Sequence, residues 1–160
     1  LIFSSTKKKL SEIVRALRSK DYLVEGISSD LEQKEREEML ARFKSRKTRV
    51  LVATDVLSRG IDIKDINLVI NFDAPSDAED YVHRVGRTAR AETTGAAVTL
   101  VNRADNQKMQ RIEKLIGYKV NNVPIPSFIA EIHEKIPVHH PSHKKSEKGK
   151  FRRRQFQRKK

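Results

Sequence analysis

The chain contains no cysteine, which excludes a disulfide scaffold, a thiolate zinc site and a thiol nucleophile, and fits a reducing compartment. A cytoplasmic location is the matching expectation. No apolar run approaches the roughly 20 residues that span a bilayer, so no membrane partner is expected. Leu1-Ile2-Phe3-Ser4-Ser5 lacks the basic start and the long apolar stretch of a signal peptide. It reads as a buried strand, and with no initiator methionine before it the chain is expected to be a fragment of a longer protein. No Gly-x-x-x-x-Gly-Lys-Ser/Thr loop occurs, and no paired carboxylates suited to Mg²⁺ follow a strand. The chain is equipped to supply arginines to a nucleotide but not to cradle and hydrolyse one alone.

What is present is enough for one core with appendages: 160 residues, with 34 Lys and Arg against 21 Asp and Glu, a net charge of +13. The final 18 residues hold ten of the cations and one Glu, so the body is nearly balanced and the tail is strongly basic. Through residue 116, short apolar strands alternate with amphipathic helices, the pattern of an open parallel α/β sheet with helices on both faces. Strands are expected at Leu1–Phe3, Tyr22–Ile27, Val50–Ala53, Leu68–Phe72 and Ala96–Val101. Helices are expected across Leu10, Ile13, Val14 and Leu17, near 31–44, near 76–85 and near 104–116. Asp30 and Gln33 have the spacing of a capping box, and Gly86 stands where a left-handed residue would close a helix. The expected division is a domain over 1–120, an extension over 121–138 with a short helix around Phe128–Ile136, and a basic, disordered tail over 139–160.

Ligands of such sheets bind beyond the carboxyl ends of the strands, and two segments there carry chemistry. Thr54-Asp55-Val56-Leu57-Ser58-Arg59-Gly60-Ile61-Asp62 mixes hydroxyl, carboxylate, guanidinium and a glycine that lets a phosphate or sugar approach the main chain. A capped turn closed by an Asp55–Arg59 ion pair is the alternative. His83-Arg84-Val85-Gly86-Arg87-Thr88-Ala89-Arg90 spaces three arginines so that they share a face if helical, while Gly86 lets the later two leave the helix axis. Guanidinium groups suit charge developing on a transferred phosphoryl group, although a solvated basic helix end would also look like this.

At these segments the chain resembles the C-terminal RecA-like domain of DEAD-box ATP-dependent RNA helicases, most like the compact bacterial members, over roughly residues 1–116. Leu1 to Thr6 looks like motif IV, Gln33-Lys34-Glu35-Arg36 matches the Gln-x-x-Arg of motif IVa, and Ala53-Thr54-Asp55 through Arg59-Gly60-Ile61-Asp62 matches motif V. Residues 83–90 match motif VI, His-Arg-x-Gly-Arg-x-Gly-Arg, except that Ala89 replaces a glycine. The resemblance implies that Arg87 and Arg90 are arginine fingers for ATP, its Mg²⁺ held mainly by an absent N-terminal RecA-like domain. It further implies that Asp62 and the Gly60 backbone meet the nucleotide, and that His83 and Arg84 couple this face to the other domain. Arg36, Thr54 and the Gly60 backbone would contact the RNA sugar-phosphate chain. The fragment by itself is expected to be monomeric and inactive.

The tail interleaves Phe151 and Phe156 with cations, among them Lys144, Lys145, Arg152, Arg153 and Arg154, a composition suited to RNA. His139, His140 and His143 lack a fourth ligand, and no metal site is expected there. Two rival readings are a superfamily 2 DNA helicase, whose sixth motif more often begins with Gln than with His83, and a noncatalytic RNA-binding module.

Overall fold

The computed structural model describes residues 1–55, 63, 66–88 and 95–126. The chain divides into a unit spanning Leu1–Asn121 and a second from Asn122 onward. The expected helix at 128–136, the histidines at 139, 140 and 143 and the basic tail lie outside the described residues. Among the described residues no helix is long and apolar enough to cross a membrane.

The first unit is a five-stranded parallel sheet: β1 (Ile2–Phe3), β2 (Val24–Ile27), β3 (Val50–Ala53), β4 (Leu68–Asn71) and β5 (Ala96–Thr99), in the spatial order β2-β3-β1-β4-β5. Its helices are α1 (Lys7–Arg18), α2 (Gln33–Lys44), α3 (Ala78–Val85) and α4 (Asn106–Ile116). The register pairs Val24 with Val50, Ile2 with both Val52 and Ile70, and Leu68 with Ala96.

Strand periodicity divides the core in two. Ile2, Val24 and Val52 pack with Leu10 and Val14 of α1 on one face. Phe3, Ile27, Leu51, Ala53 and Val69 form the other cluster, against which Met39, Leu40 and Phe43 of α2 pack. This separation follows from right-handed crossovers. The connection from β1 to β2 runs outward across the sheet and the one from β2 to β3 runs back, so α1 and α2 fall on opposite faces. Gly26 in β2 admits α1 closely, since a Cβ there would stand 2.7 Å from Leu10 Cδ2.

Most elements are shorter than their sequence patterns. Tyr22 and Leu23 stay outside β2 because Asp21 sits in a left-handed turn at φ 60° and pairing begins at Val24. The capping box falls elsewhere than expected. Helix α2 starts at Gln33 with Glu32 as its cap, and the Glu35 carboxylate accepts from Glu32 N at 3.1 Å. Asp30 is instead ion-paired with Lys7. Gly86 does follow α3, but in right-handed backbone at φ −59°, because the chain continues in a helical sense with Thr88 N donating to Val85 O. The left-handed cap is Gly117, after α4, at φ 81°.

A Cβ at Gly117 would meet nothing within 4 Å, so Gly117→Ala isolates the backbone cost of the left-handed conformation. The substitution is expected to lower stability by about 1 kcal/mol, read as a lower urea midpoint with an unchanged slope. An unchanged midpoint would contradict the cap assignment.

Candidate nucleotide and nucleic-acid face

The carboxyl ends of β1, β3 and β4 bring together the segments beginning at Ser4, Thr54 and Phe72. Their centre is Arg84, whose side chain is fully buried. Its guanidinium Nη1 donates to Asn71 Oδ1 and to the Asp73 carbonyl, both at 3.1 Å, while Nη2 bonds the Asp55 carboxylate. The cation also lies 5.1 Å from the centre of the Phe3 ring, within the range of a cation–π contact. A planar fork with fixed donors suits such convergence better than an ammonium. One guanidinium therefore ties motif VI to motif V through Asp55 and to β4 through Asn71.

Asp73 extends the linkage. Its carboxylate accepts from the Ser5 backbone N and from Ser5 Oγ, each at 3.0 Å, and pairs with Lys9 of α1. Burial alone would push this carboxyl up, but the bonds from Lys9 and Ser5 outweigh it and hold its pKa below the usual 3.8. Thr6 caps α1 by accepting from Lys9 N at 3.2 Å. Asn71 passes the connection outward, donating to Thr99 Oγ1 at 3.1 Å. The Tyr81 hydroxyl of α3 has its pKa raised, mainly by burial and further by Tyr118.

The expected site residues occupy distinct environments. Thr54 is buried at the end of β3 with its backbone N donating to Ile27 O at 3.3 Å, and among the described residues its hydroxyl has no partner. Arg36, in the first turn of α2, bonds Gln33 Oε1 at 3.3 Å and Leu31 O at 3.4 Å, and among the described residues its buried Nε has no partner either. His83 is exposed on α3. Arg87 lies past the end of α3, half-buried, with Nε donating to His83 O at 3.2 Å. Gly60, Asp62, Ala89 and Arg90 lie outside the described residues, as does the Asp55–Arg59 pair.

Helix α3 ends at Val85, so Arg84 points into the domain while Arg87 lies beyond Gly86 and off the helix axis, as expected. The Arg84 guanidinium is occupied within the domain by Asn71, Asp73 and Asp55. Three residues were missed by the sequence reading. Asn71 was signalled by an amide inside an otherwise apolar strand, and Asp73 by a carboxylate at that strand's carboxyl end. Thr88 is buried and donates to Ile66 O at 2.6 Å, while Gly95 leaves room for it, a Cβ there falling 1.7 Å from Thr88 Oγ1.

The family of helicase conserved C-terminal domains matches residues 1–92. An ATP-dependent RNA helicase, dbp8 of Emericella nidulans, is 51% identical over 120 residues, covering 75% of this chain and 23% of the relative. The structure of a DEAD box protein from the hyperthermophile Methanococcus jannaschii matches with a TM-score of 0.73 and 40% identity, over 77% of this chain and 34% of that one. Dbp5 of S. cerevisiae bound to RNA and ADP BeF3 matches with a TM-score of 0.67 and 32% identity, over 74% of this chain and 33% of that one. The chain thus spans about a quarter to a third of the length of these relatives.

Arg84→Met is expected to destabilise the fold by about 1 to 3 kcal/mol, because it removes the buried donor to Asn71 Oδ1 and to the Asp73 carbonyl. Denaturant unfolding measures this, and a loss below about 1 kcal/mol would mean the linkage is dispensable. Asp73 has a depressed pKa, so its contribution is complete above the unfolded value near 3.8 and is lost as pH falls through the lower folded value. Asp73→Asn should be less stable than wild type at neutral pH and flatter in its acid limb; parallel acid limbs would contradict the assignment.

Proposed function

The chain belongs to the helicase C-terminal domains, of the DEAD-box RNA helicase type, and from that premise we propose that it forms one half of an RNA-dependent ATPase. The whole enzyme unwinds or remodels RNA. The N-terminal RecA-like domain binds ATP and holds most of the ligands of its Mg²⁺; among the described residues here no three His, Asp or Glu side chains converge as metal ligands. When bound, Mg²⁺ would supply neutralisation of the phosphate charge.

This chain contributes the other wall of the site. Arg87, already beyond the end of α3, and Arg90 reach the γ-phosphate when the two halves close. Asp62 and the Gly60 backbone meet the ribose and the adjoining main chain. Because Arg84 is held by Asp55, the motif that carries the fingers moves with the motif that meets RNA. His83, exposed on the same helix, faces the other domain, and Arg84 acts through Asp55 rather than by contact.

Among the described residues three buried polar atoms lack a partner, Arg84 Nε inside the domain and Thr54 Oγ1 and Arg36 Nε towards the strand ends, and the last two are the observation that carries the RNA reading. Leaving such groups unsatisfied costs about 1–3 kcal/mol each. Both belong to segments at the carboxyl-end side of the sheet, and both can serve a phosphate or a ribose hydroxyl. Contacts of that kind read the backbone and not the bases. Lys144, Lys145, Arg152, Arg153 and Arg154 of the tail add sequence-independent attraction to phosphate. That the similar Dbp5 of S. cerevisiae was solved bound to RNA and ADP BeF3 supports reading this face as one for RNA and nucleotide.

In the full-length protein, Arg87→Ala is expected to lower RNA-stimulated ATP turnover by about 10³-fold or more while RNA affinity stays within a few-fold of wild type. Turnover within a few-fold of wild type would remove Arg87 from the phosphate site. The isolated chain is expected to hydrolyse no ATP.

A further inference from the structure

The opposite end of the sheet carries a charge cluster that the proposed function does not use. Between the end of α2 and the start of β3 the sequence reads Lys44-Ser45-Arg46-Lys47-Thr48-Arg49, four cations and no acid. All four are exposed. Among the described residues none of their charged groups makes a hydrogen bond or ion pair. The carboxylate available nearby, Glu25, is already taken by Arg42 at 2.8 Å and by Thr48 Oγ1 at 2.8 Å.

Helix dipoles account for part of this. Cations in a last turn favour a helix C-terminus, and Arg15 and Arg18 of α1 and Arg42 and Lys44 of α2 fill those positions. Arg46, Lys47 and Arg49 lie beyond the helix, where the dipole falls off. Arg46 is moreover held at φ 60°, in the left-handed region where glycine is the usual occupant. Its backbone N donates to Phe43 O at 3.0 Å and Arg49 N donates to Leu23 O at 3.0 Å, so the two arginines project from fixed backbone. Together with Lys44 and the half-exposed Tyr22 they line a cleft of about 1020 Å³ under the amino ends of the strands.

We propose that Arg46, Lys47 and Arg49, with Lys44 and Tyr22 beside them, form a second surface for the RNA phosphate backbone. It rests on the RNA reading above and lies apart from the face assigned there. Arg49 and Thr54 are at opposite ends of β3, about 17 Å apart at the rise of a strand, so one phosphate cannot serve both. The second surface takes a different stretch of the same RNA. Cations fixed beside an aromatic ring suit nucleic acid, with phosphates on the guanidinium and ammonium groups and a base on the ring. An acidic protein segment would use the cations and leave Tyr22 idle.

The test uses the full-length protein, one short single-stranded RNA sufficient only for the first face and one long RNA. The R46Q/K47Q/R49Q variant should reduce the slope of log affinity against log salt by about 2 for the long RNA, at about 0.7 for each phosphate no longer neutralised. Binding of the short RNA and the turnover it stimulates should not change. Arg46→Gly relieves the left-handed backbone, so it should keep or raise the melting temperature while lowering the long-RNA slope by about 0.7. An unchanged long-RNA slope in both variants overturns the inference. So does a weakened affinity for polyglutamate with the RNA slope intact, which would assign the surface to an acidic protein. If wild type binds neither RNA, the RNA reading itself falls, an outcome distinct from either of these.

Discussion

A single buried guanidinium organises the functional end of this domain. Arg84 is a full positive charge with no exposure to water, which is tolerable only because an amide oxygen, a main-chain carbonyl, a carboxylate and an aromatic ring surround it. These partners come from three strand ends separated by long stretches of sequence. The charge therefore constrains where β1, β3, β4 and α3 stand relative to one another. Removing any partner would leave a buried charge incompletely satisfied, so the arrangement is expected to hold as a unit or fail as one.

That constraint gives the proposed catalytic cycle a mechanical basis. Motif V leaves β3 through Thr54 and Asp55, motif VI surrounds Arg84, and motif IV reaches the same group through Ser5 and Asp73. The residues proposed to meet RNA and those proposed to meet ATP thus share one rigid anchor. On this proposal, Arg87 at the nucleotide site and Thr54 at the RNA backbone move together on closure. Coupling of this kind requires no long relay, because the two sites are the two sides of one packed cluster.

Much of the fold was legible because it depends on local patterning. A continuous apolar run such as Val50-Leu51-Val52-Ala53 must be buried on both faces, and Leu10, Ile13, Val14 and Leu17 make one helical stripe, so the strand and helix order follows directly. The ends were less legible. Tyr22 looks like strand, but a left-handed Asp21 delays pairing, and the cap of α2 moved from Asp30 to Glu32 because Lys7 of another helix claims Asp30. The motifs marked the candidate segments, and Gly86 signalled that Arg87 leaves the helix, yet spacing alone did not show that Arg84 is buried. Its burial is set by Asn71, Asp73 and Asp55, which no local window contains. The free cations at Arg46 to Arg49 were equally invisible, since the sequence does not reveal that Glu25 is occupied by Arg42 and Thr48.

The central claim is that this domain completes an ATPase that responds to RNA. The most direct measurement is ATP turnover by the full-length protein with single-stranded RNA, with DNA of the same sequence and with neither. The account predicts stimulation by RNA and little by DNA, because the backbone contacts assigned to Arg36 and Thr54 include the ribose hydroxyl. Equal or stronger stimulation by DNA would contradict it and move the protein to the DNA helicases of the same superfamily.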